Sequence, residues 1–238
     1  MKKAKVIVAP SDFIKTDIIK NYKINDDKIE VVYGGANENF IPIGIEEREI
    51  VKQKYADGNE YFIYTGEIDP GKNLLNLLKA FSAFKKRQKS NMQLIIAGNP
   101  GRKYDEFTEN IRLFRFKEEV KILENLPGEE FVKVTASAYA MVYPLAPESF
   151  GTPALQAMKC AVPVITSPET AMAEICADAA LYADPENFKA IAVQMMLIFK
   201  NETLRNTLIE KGKSQAKKYN WDIAAEMFWK AIEKRAPV

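Results

Sequence analysis

The sequence predicts an α/β fold in which a parallel sheet carries helices on both faces. Short runs of β-branched and aromatic residues alternate with longer segments of helical periodicity along the 238 residues. The short runs are apolar throughout, as strands are when both faces of a parallel sheet are covered. Several loops that follow these runs are rich in glycine, and ligands bind where the strands of such sheets end.

The predicted strands span residues 5–9, 29–32, 61–64, 93–97, 120–123, 140–143, 162–165 and 180–182. Helices are predicted between them from apolar residues that recur every three or four positions. They span residues 11–22, 105–116, 129–136, 152–159, 185–200, 203–218 and 221–234. The clearest helix follows Asn73. Its residues Leu74, Leu77 and Phe81 share one face, which we expect to lie on the sheet.

Residues 26–48 differ in composition from the rest of the chain. One predicted strand lies there, followed by the turn-forming pair Gly34 and Gly35. The chain also begins on a strand that has no strand–helix unit before it. We therefore expect residues 1–40 to be the remnant of a preceding domain with a linker, and residues 41–238 to be the main domain.

Composition disfavours several kinds of chemistry. With 34 basic and 32 acidic side chains the net charge is +2, so nothing indicates long-range attraction to nucleic acid. The chain has no histidine, which removes the Ser-His-Asp and Cys-His arrangements and the commonest zinc ligand. Cys160 and Cys176 lie in apolar or helical surroundings and are expected to be reduced. We expect no metal site.

Three glycine-rich loops follow predicted strands, at residues 65–73, 97–101 and 144–153. Glycine permits positive φ and a close approach of the backbone to a ligand. Because the carboxyl ends of parallel strands meet at one edge of the sheet, the three loops predict a shared cleft. At any single loop, the alternative is a glycine that only turns the chain.

Lys72 stands where the helix after the first loop begins. A helix N-terminus carries partial positive charge and favours acidic side chains by roughly 0.3–1 kcal/mol. A lysine there is therefore locally unfavourable, and a phosphate group in the loop would reverse that penalty. The alternative is a lysine that extends into solvent.

The third loop leads into a helix that is predicted to have Thr152 as its N-cap and Pro153 in the first helical position. The free N–H groups of such a helix start accept an anion such as a diphosphate. Glu148 precedes this helix and Gln156 lies one turn inside it. Both are expected to face the cleft and to accept hydrogen bonds from sugar hydroxyls, although each taken singly also fits an ordinary surface position.

The segments Val-Tyr-Pro at 142–144, ESFGTPALQAM at 148–158 and AVPVITS at 161–167 form one long motif. Companion features follow in order along the chain, at residues 11–13, 33–35, 66–73, 179–185 and 221. Together they resemble the donor-binding domain of retaining, group 1 glycosyltransferases with the GT-B fold. The resemblance implies a Rossmann-like domain, the C-terminal half of a GT-B fold, that binds a nucleotide sugar.

The resemblance also implies roles for single residues. The family's donor motif is a glutamate, seven residues and a second glutamate. The first matches Glu148, which would meet the transferred sugar. The second, which meets the ribose hydroxyls, is Gln156 here, and an amide is a weaker acceptor than a carboxylate. Glu67 is another departure, because many members carry an arginine there that helps to hold the diphosphate.

Lys72 matches the family's other phosphate-binding cation. Lys72 and Glu148 are the two candidate catalytic residues. The backbone N–H groups of residues 149–152 would hold the phosphates, and the base is expected near residues 124–126 and the helix that follows them. The candidate donor-binding residues are Gly66, Glu67, Lys72, Asn73, Gly98, Glu148, Ser149, Phe150, Gly151, Thr152 and Gln156.

The implied activity is retaining transfer of a hexose-like group to an acceptor hydroxyl. Lys72 and the helix start would stabilise the charge of the leaving diphosphate, so no metal or other cofactor is expected.

The family's N-terminal acceptor domain is missing. That domain or a separate acceptor subunit is therefore the expected partner, and the chain alone is expected to transfer little. We expect a cytoplasmic location, with a membrane surface as one potential contact for the lysines at positions 211, 213, 217 and 218.

Other functions remain open from the sequence. Epimerases and phosphorylases with the GT-B fold are among them, although the setting of a pyridoxal lysine, which a phosphorylase needs, is not evident. A non-catalytic nucleotide-sugar-binding or partner subunit is favoured by Gln156 and Glu67, the two departures from the family's pattern. A dinucleotide-dependent dehydrogenase shares the fold class, but the Gly-x-Gly-x-x-Gly run does not follow the first strand.

Overall fold

The computed structural model describes residues 4–145 and 148–234, and their strands form two parallel sheets. The smaller sheet pairs β1 (Ile7–Ala9) with β2 (Ile29–Val31). The larger sheet consists of β3 (Tyr61–Thr65), β4 (Gln93–Gly98), β5 (Val120–Glu124), β6 (Ala140–Tyr143), β7 (Val164–Thr166) and β8 (Ala180–Tyr182). Every predicted strand is present, with boundaries that differ from the prediction by at most two residues.

The larger sheet has the strand order β5-β4-β3-β6-β7-β8, and all its neighbouring strands are parallel. The chain builds outward from β3 to β5, returns to the other side of β3 as β6, and continues outward to β8. The order therefore reverses between β3 and β6. Such a switch point opens a crevice at the carboxyl ends of the strands.

The described helices are α1 (Asp12–Tyr22), α2 (Ile45–Tyr55), α3 (Leu74–Gln88), α4 (Tyr104–Ile111), α5 (Gly128–Ala136), α6 (Thr152–Lys159), α7 (Ala171–Cys176), α8 (Phe188–Lys200), α9 (Glu202–Ala216) and α10 (Trp221–Glu233). The periodicity does not predict α2 or α7. Helix α2 buries only Val51 and Lys52, so its apolar stripe is weak. Helix α7 has 6 residues, fewer than two turns.

Helix α4 ends at Ile111, so the predicted end at residue 116 is wrong. The apolar residues that extended the helical pattern have other positions in the structure. Leu113 is 84% exposed, and Phe114 packs partly buried against the main core in the turn that leads to β5. Periodicity alone does not separate such a turn from a last helical turn.

Helix α3 packs its predicted face on the sheet. Leu74, Leu77 and Phe84 are fully buried. The ring of Phe84 meets Phe62 of β3 edge-on at 5.2 Å and Phe199 of α8 at 5.3 Å. Full burial of each such side chain stabilises the fold by about 1.5–3 kcal/mol, so this layer holds α3 and α8 on the sheet.

The N-terminal part has a small core of its own. Ala9, Ile24 and Ile29 form a buried cluster between β1, β2 and α1. Ala36 and Phe40, farther along the chain, are buried in the core of the larger sheet. The domain boundary at residue 40 stays a prediction.

Cys160 and Cys176 are both buried and free, as predicted. Burial raises the pKa of each thiol to about 12, so both thiols stay protonated at neutral pH. Within the described ranges, every helix is too short or too polar to cross a bilayer.

Candidate functional site

The loops that follow β3 and β6 meet at the switch point. Asn73 ends the first loop, and its side-chain amide donates one hydrogen bond to the carbonyl of Pro144 at 2.8 Å. It donates a second to the carbonyl of Pro185 at 2.8 Å. Pro144 directly follows β6. Because the amide's N–H groups are used in this way, the structure places Asn73 as a clamp between the loops of the predicted cleft.

Gly66 and Gly98 bring the ends of β3 and β4 into close contact. Gly66 has a φ of +146°, and its N–H donates to the carbonyl of Ala97 at 3.0 Å. A Cβ on Gly98 would lie 1.7 Å from the carbonyl oxygen of Gly66. Only glycine fits there, so part of the glycine content of these loops serves their packing on each other.

Beyond these glycines the two loops run side by side. The N–H of Ile68 donates to the carbonyl of Asn99 at 2.9 Å. The carboxylate of Asp69 accepts hydrogen bonds from the N–H groups of Gly71 at 2.8 Å and Lys103 at 3.0 Å. These two bonds hold the pKa of Asp69 below its usual range. Asp69 therefore organises both loops, a role that the sequence reasoning missed.

A cavity of about 600 Å³ opens between these loops and the start of α5, which is an ordinary size for a small-molecule site. It is lined by Gly66, Glu67, Gly98, Asn99, Pro100, Leu126, Gly128 and Phe131. Three predicted site residues, Gly66, Glu67 and Gly98, lie in its wall. Leu126 belongs to the segment that the resemblance assigns to the base.

The remaining lining residues were not among the individual site residues predicted, although a loop and a helix that contribute to this wall were expected near the cleft. Asn99 and Pro100 continue a loop that the glycine content had already marked, so their position was within reach of the sequence. Gly128 and Phe131 belong to α5. Their position in the wall depends on how α5 packs beside the loops, which no local pattern reports.

Glu124 ends β5 beside this cavity and accepts a hydrogen bond from the hydroxyl of Tyr104. Burial, and then the neighbouring carboxylate, raise the pKa of Tyr104 to about 12. The phenol thus keeps its proton at neutral pH and orients the Glu124 carboxylate.

Lys72 lies in a single 3-10 turn, Pro70–Lys72, just before α3. Its ammonium is 3.8 Å from the carboxylate of Glu67, and both side chains are about half exposed. An exposed pair of this kind contributes only about 0–1 kcal/mol, so a doubly charged anion competes readily with Glu67. The structure therefore pairs the predicted phosphate-binding cation with the residue that replaces the family's arginine.

Glu148 is partly buried in the loop after β6, of which residues 146 and 147 lie outside the described residues. Its carboxylate accepts hydrogen bonds from the hydroxyl of Tyr143 at 3.3 Å and from the N–H of Ser149 at 3.1 Å. Burial is the main cause that raises the pKa of Tyr143, so the phenol remains a donor. Its ring stacks on Tyr64 at 5.3 Å. Tyr143 thus orients Glu148, which the sequence reasoning did not predict.

Helix α6 spans the predicted residues 152–159, but the predicted N-cap is wrong. Thr152 is the first helical residue, and the N-cap is Gly151, with a φ of +97° and no capping side chain. A Cβ on Gly151 would lie 2.4 Å from the sulfur of Met172. The N–H groups of the first turn have no acceptor within the helix. The start of α6 is therefore free of a capping side chain, and its role in accepting an anion stays a prediction. Gln156 lies partly buried on the second turn.

Ser11 joins the N-terminal part to this loop. Its buried hydroxyl donates to the carbonyl of Ser149 at 2.8 Å and accepts the N–H of Ile14 at 3.2 Å, which caps α1. Phe150 is buried and meets the ring of Tyr219 edge-on at 6.2 Å. The Phe150 side chain therefore packs inward, so that only its backbone is free to meet a ligand.

Glu174 of α7 strengthens the same junction. Its carboxylate accepts the N–H groups of Asp12 at 3.0 Å and Phe13 at 3.2 Å. A carboxylate at a helix N-terminus is favourable because the helix dipole is positive there. Helix α1 is thereby docked next to the loop that carries Glu148, an arrangement that the sequence did not predict.

The rim of the switch point therefore carries three kinds of group: the ammonium of Lys72, the uncapped start of α6 and the carboxylate of Glu148. The first two suit an anion, and the third suits hydroxyl donors. Across residues 4–145 and 148–234, no group of three or more His, Cys, Asp or Glu is placed to hold a metal ion.

A parallel sheet with a switch point, glycine-rich loops and a helix start that no side chain caps defines the class of Rossmann-like ligand-binding domains. The particular family follows from the sequence as a whole. Residues 46–215 match the family model of glycosyl transferases group 1, and the chain belongs to this family.

Two relatives illustrate the similarity. The chain is 30% identical over 220 residues to O-antigen chain mannosyltransferase B of Escherichia coli. The matched residues cover 92% of this chain and 58% of that protein. It is 27% identical over 190 residues to O-antigen chain mannosyltransferase RfbU of Salmonella typhimurium, which covers 80% of this chain and 50% of that protein. The chain thus spans about half the length of the curated relatives it matches.

Solved structures show the same fold. Anabaena Alr3699/HepE in complex with UDP and glucose has a TM-score of 0.87 at 15% identity, over 97% of this chain and 63% of that one. A glycosyltransferase from Rickettsia africae has a TM-score of 0.84 at 20% identity, over 96% of this chain and 63% of that one. The predicted fold class, one half of a GT-B glycosyltransferase, is confirmed.

Proposed function

We propose that this chain is the donor-binding half of a retaining glycosyltransferase that transfers a sugar from a nucleotide diphosphate sugar to an acceptor hydroxyl. The observation that carries the proposal is the Asn73 clamp, which brings the Lys72 loop to the loop that leads into α6. The Anabaena structure contains UDP and glucose, and the E. coli relative is named a mannosyltransferase. Both descriptions support a nucleotide sugar as donor.

The parts of the donor are assigned by chemistry. The cavity of about 600 Å³, with Leu126 and Phe131 in its wall, suits the nucleoside. The diphosphate lies between Lys72 and the start of α6, where an ammonium and free N–H groups meet its charge. The sugar lies next to Glu148, whose carboxylate accepts its hydroxyls. Lys72 and the helix start stabilise the charge of the leaving diphosphate, and we propose that they do so without a metal ion or another cofactor.

Glu67 modulates this site. In the structure its carboxylate lies 3.8 Å from the ammonium of Lys72, so the donor diphosphate has to replace it. A like charge beside the diphosphate also opposes binding. We therefore expect donor affinity to be weaker than it would be with the arginine that many members carry.

The acceptor side is proposed to come from a second domain or from a separate subunit. Helix α10 exposes Trp221 by 60%, Phe228 by 47% and Trp229 by 61%. Large apolar side chains exposed together on one helix indicate a surface that another part of the protein covers. Without that part the chain is expected to bind donor and to transfer little. Free buried thiols fit a cytoplasmic protein, which is the location we propose.

Calorimetric titration with UDP, GDP and ADP sugars tests the proposal. One of these donors is expected to bind, and Lys72→Ala should weaken its binding on the order of 10–100-fold, the value of a hydrogen bond to a charged group. Binding of the bare nucleoside should not change. Absence of binding for every donor at millimolar concentration would contradict the proposal.

Lys133→Ala is a matched control. Lys133 is also paired with a glutamate, Glu47, and its side chain is 40% exposed, the same as that of Lys72. It lies on α5 and does not line the cavity. A general effect of removing a paired surface lysine would weaken binding in both variants, whereas the proposed role weakens it only in Lys72→Ala. Glu67→Gln should act in the opposite direction and tighten diphosphate binding.

A second function is a non-catalytic nucleotide-sugar-binding or partner subunit. The Lys72–Glu67 pair and Gln156 favour it. Glu67 neutralises the cation proposed for the diphosphate, and Gln156 lacks the charge of the family's ribose-binding carboxylate. The double variant Glu67→Arg with Gln156→Glu separates the two functions. Donor turnover that appears only in the double variant supports the non-catalytic subunit. Turnover in the wild-type chain when the acceptor half is supplied supports the enzyme.

A further inference from the structure

A basic surface lies on the side of the domain formed by α3 and the turn between α4 and β5. We define it by Lys79, Lys86 and Lys89 from α3 and its C-terminus, and by Arg112 and Arg115 from the turn. All five side chains are exposed.

The five cations of the basic surface have no ion-pair partner among residues 4–145 and 148–234. Other lysines of the chain are paired: Lys211 with Asp178 at 2.7 Å and Lys213 with Glu210 at 2.7 Å. These two lysines belong to the group that the sequence marked for a membrane contact. Their charge is neutralised locally, whereas the five cations of the basic surface are not paired with carboxylates of the described residues.

The charge of the basic surface surrounds an apolar groove of about 340 Å³. Ala83, Phe114 and Phe188 contribute the apolar part of the lining, and Lys79, Lys86 and Arg115 contribute the cations. Lys79, Ala83 and Lys86 are spaced by four and three positions along α3, so they lie on one helix face. A cationic rim around an apolar groove matches a ligand that is anionic at one end and apolar at the other.

Leu113 protrudes from the same surface. It is 84% exposed, the highest value among the large apolar side chains that the structure leaves exposed, and it lines the groove. Arg112 precedes it, and Arg115 follows two residues later. An apolar side chain that projects between cations is suited to enter the boundary between lipid headgroups and acyl chains, because the cations remain at the headgroup level.

A structural reason accounts for only part of this charge. Lysines in the last turn of a helix stabilise its negative C-terminal end, which applies to Lys86 and Lys89 at the end of α3. It does not apply to Lys79, which lies in the middle of α3, or to the two arginines on another element. The helix dipole also gives no reason for the exposure of Leu113.

We propose that the basic surface, with Leu113 at its centre, docks this protein on an anionic phospholipid membrane. Charge complementarity selects the partner: each cation near an anionic bilayer contributes attraction, and Leu113 with the groove adds an apolar contact. The residues before β4 and β5 lie at the amino ends of the strands, whereas the candidate donor site lies at their carboxyl ends. Membrane binding therefore leaves the donor cleft open.

Sedimentation with phosphatidylcholine vesicles, with and without phosphatidylglycerol, tests the proposal. The wild-type chain should bind only the anionic vesicles, and high salt should release it. Replacing both Lys86 and Arg115 by alanine should weaken binding by roughly 25-fold, about fivefold for each cation removed. Binding of the donor in solution should be the same in this variant, so failure of the membrane proposal is distinguishable from failure of the proposed function.

Lys211→Ala with Lys213→Ala is the control, because it removes the same number of charges from lysines that carboxylates neutralise. Vesicle binding should stay within about twofold of the wild type. Leu113→Cys, labelled with an environment-sensitive dye, gives a direct signal, since Cys160 and Cys176 are buried. A blue shift on anionic vesicles alone supports insertion at this point.

Three outcomes would overturn the proposal. Absence of binding to anionic vesicles at low salt is the first. Equal binding to neutral vesicles is the second, because it would assign the contact to the apolar face of α10. An equal loss of binding in the control variant is the third, because it would reduce the effect to net charge.

Discussion

The two sides of the cleft are held together in different ways. On the side of β3 and β4, contacts between backbone groups hold the loops, together with the Asp69 carboxylate. Gly98 lies against the carbonyl of Gly66, and the N–H of Ile68 donates to the carbonyl of Asn99. On the side of β6 and α6 the contacts are made by side chains. The hydroxyl of Ser11 holds the carbonyl of Ser149, and the hydroxyl of Tyr143 holds the carboxylate of Glu148.

This difference bears on how each side meets a ligand. A wall built from backbone contacts between adjacent strands has little freedom, so the cavity proposed for the nucleoside is formed before binding. A loop that depends on hydroxyl groups moves more easily when a ligand competes for them. The side proposed for the sugar is also tied, through Ser11, to the N-terminal part of the chain.

The largest expected effect comes from breaking the backbone side with Gly98→Ala. The new methyl group would lie 1.7 Å from the carbonyl oxygen of Gly66, so the strand ends have to separate. We expect the free energy of unfolding to fall by about 3 kcal/mol, as in severe overpacking. Urea denaturation measures this loss.

Gly128→Ala is the matched control for that experiment. Gly128 also lines the cavity, but a Cβ there would meet no atom within 4 Å. The free energy of unfolding should change by no more than about 0.5 kcal/mol. Similar losses in the two variants would show that the contact between Gly66 and Gly98 is not what holds this side.

The next largest effect is expected for Ser11→Ala on the other side. This change removes the N-cap of α1 and leaves the carbonyl of Ser149 without its partner. Loss of an N-cap costs about 0.5–2 kcal/mol, and we also expect weaker donor binding because the 148–151 loop loses a restraint. Asn201→Ala, which removes the N-cap of α9, should lower stability similarly and leave donor affinity unchanged. Equal donor affinity in the wild type and the Ser11 variant would refute the link.

Tyr143→Phe tests the side-chain control of Glu148 more finely. The variant keeps the ring stacked on Tyr64 and removes one hydrogen bond to the carboxylate. That bond is worth about 1 kcal/mol, so binding of the nucleotide sugar should weaken about fivefold, while binding of the nucleotide alone should not change. Tyr182→Phe is the control. The hydroxyl of Tyr182 donates hydrogen bonds to backbone carbonyls of α7 and of its C-cap, so its loss should change the binding of neither the nucleotide sugar nor the nucleotide. A uniform loss for both ligands would place the effect of Tyr143 outside the sugar site.

The smallest effect concerns pH and the backbone side. Hydrogen bonds hold the pKa of Asp69 below its usual value, so its stabilising contribution is present above about pH 4 and is lost as the pH falls through the lowered pKa. The stability difference between the wild type and Asp69→Asn should therefore be constant from about pH 5 to 8 and shrink in stronger acid. Urea denaturation at several pH values checks this. A difference that grows in acid would show the opposite sign of the shift.

The strands and the glycine-rich loops could be predicted from the sequence because their causes are local. A strand buried on both faces is apolar throughout, and β3, with all five residues buried, is an example. Lys72, Glu148 and Gln156 were singled out because each stands beside a predicted helix start. The long motif after β6 then indicated the family.

The parts that were missed depend on partners far apart along the chain. Thr152 has the residue type of an N-cap, but Gly151 is the cap. The positive φ of Gly151 and its closeness to Met172 leave no room for a Cβ there. The bond between Ser11 and Ser149 joins residues separated by 138 positions. No pattern within a window of sequence reports such a contact.

By itself the sequence determined the fold class, the family and the loops that form the candidate site, because these follow from periodicity, glycine content and a long contiguous motif. The tertiary structure alone decided which of the marked groups remain available to a ligand. Asn73 became a clamp, Glu67 became the partner of Lys72, and Tyr143 became the donor that orients Glu148. The physical reason is that a hydrogen bond or an ion pair depends on distances of about 3–4 Å between atoms, and only the folded chain sets those distances.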